Sequence, residues 1–111
     1  KLPVPALVSI LHRVSGAVLF LFFIPLLLLA LGASLASSES FAGLQATLGH
    51  PLSKILLLGF AWAYLHHFCA GIRHLFMDMH KGIDLQSSRL SAKIVMAVSL
   101  VLTLLIGIKL W

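Results

Sequence analysis

Leu65–His80 reads LHHFCAGIRHLFMDMH, and this stretch decides the fold. Four histidines, an arginine and an aspartate are set into a long apolar segment. Apolar segments of that length are membrane spans, and each ionisable group inside one costs ~2.5–3.5 kcal/mol on insertion scales. Such groups persist where another residue, an ion or a cofactor pairs with them. At about 100° per residue, His67, Gly71, His74 and Asp78 share one helix face. Gly71 removes a side chain from the middle of that face, so a flat object or another backbone can come close. Histidine, glycine, then histidine one to two turns on is the pattern of a haem-binding helix. Hydrogen bonding to neighbouring helices is the competing reading for any single one of these histidines.

The rest of the chain fits a membrane setting. Of 111 residues, 60% are hydrophobic and 10% are charged, against ~25% charged in a soluble domain. A water-soluble domain this small could not hide so much apolar surface. The composition implies an all-α integral membrane protein of one domain, residues 1–111. The net charge of +5 is spread over segment ends and forms no basic run or basic-aromatic patch, so nucleic acid is excluded as a partner. Cys69 is the only cysteine. It makes no internal disulfide, iron–sulfur or zinc site, and reads as a small core residue.

Three spans are predicted, over about 6–36, 51–79 and 89–111. Lys1–Pro5 is an extended lead-in with two prolines before a helix start. The apolar run after it is too long for a signal peptide, and no small-residue cleavage site closes it. Pro25 is expected to kink the first span or loosen a turn. Residues 34–50 are small and polar without Lys or Arg, with room for an interfacial helix around 41–48. Ser87 or Ser88 is the expected cap of the third span.

The basic residues orient the spans. Lys1, Arg13, Arg73, Lys81, Arg89 and Lys93 lie at the amino terminus or around the second loop, and only Lys54 and Lys109 lie toward the other side. This predicts a cytoplasmic amino terminus. His12 and Arg13 then share a layer with Arg73 and His74. His67 lies about 10 Å deeper than His74 at 1.5 Å per residue. A haem hung from His67 would turn its propionates toward His12, Arg13, Arg73 and His74, where arginines pair well with carboxylates. Contact with lipid phosphate is the alternative for both arginines. His67 and His74 lie on one side of one helix and cannot face each other across an iron. A second axial ligand therefore has to come from another polypeptide. No Cys-x-x-Cys-His is present, so coordination and packing alone would hold a haem.

Two segments carry a resemblance: Ser9-Ile10-Leu11-His12-Arg13-Val14-Ser15-Gly16, and His67 followed by Gly71-Ile72-Arg73-His74-Leu75-Phe76-Met77-Asp78. With them, nearly the whole chain resembles the larger membrane-anchor subunit, a cytochrome b, of bacterial succinate dehydrogenase (respiratory complex II). The resemblance implies a multi-pass subunit of the bacterial cytoplasmic (inner) membrane that does not itself bind succinate. A flavoprotein would oxidise succinate, and an iron–sulfur subunit would carry electrons to the membrane. A smaller anchor subunit would share one haem b and supply its second ligand. His67 would be the axial ligand from this chain. Ser9 and Arg13 would belong to the ubiquinone site, with His12 beside quinone and propionates, and Arg73 and His74 near the haem edge. His66 directly precedes the ligand position, so a neighbouring histidine competes for that role. His80 stands where the signature usually ends in a small residue.

The residues support this chemistry on their own terms. Ser9 can donate or accept a hydrogen bond. Arg13 holds a permanent charge that stabilises a reduced quinone. His12 can relay protons near neutral pH. A proton-coupled carrier is a competing class, but Glu39, Asp78 and Asp84 lie at span ends or in loops rather than deep in a span. A purely structural anchor is the other.

Overall fold

The computed structural model describes residues 2–111, and every described element is helical. Three helices are long and apolar enough to cross a membrane: Val4–Ala36, Pro51–Asp78 and Leu85–Leu110. Even the shortest, with 26 residues, is about 39 Å long, more than a ~30 Å hydrocarbon core. A fourth helix, Ser38–Gly49, links the first two spans. The second span packs against both others and is the centre of the bundle. Large apolar side chains such as Phe20, Leu29 and Leu104 point outward, as lipid-facing side chains do.

The first span starts at Val4, two residues before the expected start, because Pro5 is tolerated in a first turn where no N–H partner exists. Leu19–Phe23 forms a π-helical turn, and the Ile24 N–H reaches back to the Leu19 carbonyl. This is the loosened turn expected from Pro25. Proline has no N–H to give, and its ring crowds the carbonyl four residues back, so one wider turn absorbs both.

The link helix is longer than the predicted 41–48. Ser37 and Ser40 form a reciprocal capping box at its start. The second span ends in a Schellman arrangement: the His80 N–H bonds the Met77 carbonyl at 3.0 Å, and the Lys81 N–H bonds Phe76 at 3.0 Å. His80 sits in the left-handed region, φ 59°. Glycine adopts that conformation without strain, which is a physical reason for a small residue there.

The third span begins at Leu85, four residues before the expected Arg89. Its cap is Asp84, whose carboxylate accepts the Ser87 N–H at 3.0 Å, and not Ser87 or Ser88. Ser88 is buried instead, against the second span.

The tight core lies at the end of the bundle that holds the start of the first span. Val8, Ala70, Ala92 and Val95 form it, with Val4, Cys69 and Met96 packed around them. Small residues let the backbones approach, and dispersion holds spans together where lipid offers no hydrophobic drive.

Candidate functional site

His12, Ser15 and Gly16 on the first span meet His67, Gly71 and His74 on the second. The two glycines make the approach possible. A Cβ on Gly16 would stand 2.8 Å from His67 Cε1, and one on Gly71 would stand 3.7 Å from His12 Nε2. Each histidine thus lies over a glycine of the opposite helix. The His12 and His67 rings stack with centroids 4.3 Å apart and planes 8° from parallel. The His74 ring is tilted toward His12 at 4.9 Å.

Hydrogen bonds fix the state of His67. Its Nδ1 lies 3.1 Å from the His12 carbonyl and 3.3 Å from Ser15 Oγ. The Ser15 hydroxyl itself donates to the His12 carbonyl at 3.0 Å. A carbonyl only accepts, so Nδ1 is the donor, and in the neutral imidazole the lone pair is then on Nε2. A metal-ligating histidine is arranged this way, its second nitrogen tied to a carbonyl.

Arg73 and His74 are sequence neighbours with different destinations. Arg73 is buried and turns to the third span. Its Nε donates to Ser91 Oγ at 3.0 Å, and Nη2 donates to Ser88 Oγ at 3.0 Å and the Ser88 carbonyl at 3.3 Å. The structure therefore brings His12, His67 and His74 together and directs the Arg73 hydrogen bonds elsewhere. Ser9 is half-buried and Arg13 exposed, one turn apart on the first span.

His66 differs from His67 in every respect. It is fully buried, and neither ring nitrogen has a hydrogen-bond partner. The Val8 backbone is near but outside hydrogen-bonding geometry. The ring stacks on Trp62, centroids 4.9 Å apart. It faces the interior of the bundle, with Ala63, Ala70 and Arg73.

Four residues that matter here, Ser15, Gly16, Ser88 and Ser91, have no site role in the sequence reading. Ser15 was visible as the residue three after His12, and Gly16 as the end of the same motif. Ser88 and Ser91 partner Arg73; Ser88 lies on the buried face Ser88, Ala92, Val95, Ser99 of the third span, and Ser91 stands three residues after it.

The residues fit a haem. His67 bonds its neighbours through Nδ1, which leaves Nε2 for a ligand, and the face beside it is cleared by glycine. Among the described residues no group of three or more His, Cys, Asp or Glu could hold a bare metal ion, so the histidines do not form a chelating cluster.

The sequence model of the succinate dehydrogenase/fumarate reductase transmembrane subunit matches residues 1–106. The chain belongs to this family. Among its relatives is the succinate dehydrogenase cytochrome b556 subunit of Coxiella burnetii, 40% identical over 98% of this chain and 87% of the relative. The proteins of the same name from Paracoccus denitrificans and Rickettsia typhi are 33% and 31% identical, covering 95% and 97% of this chain and 80% and 83% of their own lengths. Membership of a transmembrane-subunit family agrees with the three apolar spans.

Proposed function

We propose that the chain is the cytochrome b membrane anchor of a succinate:quinone oxidoreductase. In this reading it binds no succinate, helps to seat the flavoprotein and iron–sulfur subunits on the bacterial inner membrane, and shares one haem b with a smaller anchor. The observation that carries it is the fixed tautomer of His67, with Nδ1 tied to the His12 carbonyl and Ser15 and Nε2 left free. His67 would hold the haem iron from this chain. A second ligand would come from the partner anchor, because His12 and His74 flank His67 on its own side. When bound, the haem supplies a one-electron redox centre between the soluble subunits and the membrane.

The chain's own residues serve quinone reduction at the membrane boundary. Quinone takes two electrons and two protons to become quinol. Ser9 hydrogen-bonds a carbonyl oxygen of the head group. Arg13, one turn on, stabilises the negative charge that builds on reduction. His12 passes protons inward from the aqueous side. The basic residues clustered at this end make it cytoplasmic, where an iron–sulfur partner docks.

The test is a succinate-reduced minus air-oxidised spectrum of the purified complex. A b-type band at one haem per copy of this chain is expected. A complex that oxidises succinate without any haem band would leave the chain as a structural anchor.

A further inference from the structure

We propose that the groove between the second and third spans, at the end opposite Arg73 and Ser88, binds one anionic phospholipid. The groove is shallow and open, with a volume of about 600 Å³, and is walled by Leu58, Gly59, Trp62, Leu104, Gly107 and Trp111. Gly59 leaves it open, since a Cβ there would meet nothing within 4 Å. Thr103, which also lines it, is already committed, its hydroxyl donating to the Ser99 carbonyl at 2.7 Å. The Trp62 indole N–H is buried and unpartnered, and the rest of the wall is apolar and suits a hydrocarbon chain.

The mouth has the opposite character. Lys54 lies with its ammonium 5.5 Å from the centre of the Trp111 ring. The pair joins the start of the second span to the end of the third, where interfacial tryptophan and lysine meet lipid head groups. A phosphate can take the ammonium and the indole N–H together, while one acyl chain follows the groove inward toward Trp62. Charge selects an anionic head group, because among the described residues the charged side chains at this end, Lys54 and Lys109, are cations.

The groove is separate from the histidine site. At about 100° per residue, Leu58, Gly59 and Trp62 lie roughly 140° around the second span from His67, Gly71 and His74. A partner anchor that completes a haem at His67 covers the other face of the span. This inference goes beyond the proposed function; only the turnover control in its test rests on that reading.

The chain's two tryptophans both line the groove, so fluorescence reads its occupant directly. The purified complex is placed in phosphatidylcholine bilayers containing either brominated phosphatidylglycerol or brominated phosphatidylcholine. Quenching assigned to Trp62 and Trp111 is taken as the difference from a complex carrying Trp62→Phe and Trp111→Phe. We expect phosphatidylglycerol to quench at a mole fraction lower by on the order of fivefold, the worth of one basic side chain at an anionic surface. Lys54→Gln should abolish that preference and leave succinate-to-quinone turnover unchanged. Equal quenching by both lipids would mean bulk solvation and overturn the proposal. A preference that survives Lys54→Gln, or absence of quenching by either lipid because protein covers the groove, would overturn it too.

Discussion

The His67 ring lies so close over Gly16 that a methyl group on Gly16 would stand 2.8 Å from Cε1, closer than carbon atoms pack. Gly16 is thus part of the histidine site although it carries no chemistry. Gly16→Ala is expected to push the imidazole aside, strain its bond to the His12 carbonyl and lower haem content or shift the haem band. Gly71→Ala, where the added carbon meets His12 Nε2 at an ordinary 3.7 Å, should be milder. Absorbance of the two purified variants checks the order; a larger defect in Gly71→Ala would contradict it.

Arg73 clamps the second span to the third. Hydrogen bonds to a charged group contribute ~1.5–3 kcal/mol each, so Ser88→Ala combined with Ser91→Ala should lower the thermal midpoint of the complex while its haem spectrum persists. Arg73→Lys should not keep wild-type stability by charge alone, since an ammonium lacks the planar fork that reaches both serines. Haem loss at unchanged thermal stability in the Arg73→Leu complex would instead tie Arg73 to the haem edge.

Ser9 is the cleaner probe of the proposed quinone site, because the sequence reading also sets Arg13 beside the haem propionates. Ser9→Ala removes one hydrogen bond, worth ~1–3 kcal/mol if the quinone oxygen is left unsatisfied. Reduction of a soluble dye by succinate should stay normal while quinone reduction falls. Normal quinone turnover and inhibitor binding in this variant would move the site elsewhere.

The Ser87 backbone and side chain hold the Asp84 carboxyl below its ordinary range. A depressed carboxyl stabilises the fold above its unfolded value, and that contribution fades as pH falls through the folded value. The first turn of the third span should therefore loosen in strong acid and stay closed at neutral pH. Amide exchange of Ser87 and Ser88 against pH reads this directly. Asp84→Asn keeps an acceptor at the cap and should flatten the pH dependence; an unchanged profile in that variant would exclude Asp84 as its source.

Much of this arrangement was legible in the sequence. Long apolar runs marked the spans, and helical periodicity put His67, Gly71 and His74 on one face, with His66 on the face of Arg73. What periodicity could not give was the destination of each face. Gly16 lies under His67 only because of how the first two spans cross. Arg73 meets Ser88 and Ser91 only because the third span covers that side. The cap of the third span was misplaced for a local reason: two serines stood nearer the apolar run, but the Asp84 carboxylate reaches the Ser87 N–H and starts the helix earlier.

The central claim is that His67, and not His66, binds haem iron. The most direct measurement is the low-spin haem signal, by electron paramagnetic resonance and absorbance, of complexes carrying His67→Leu or His66→Leu. His67→Leu should lose or transform the signal. His66→Leu should keep it, because a buried ring with two unpartnered nitrogens is exchanged for an apolar side chain in an apolar place. A normal signal in the His67 variant, with loss in the His66 variant, would contradict the account.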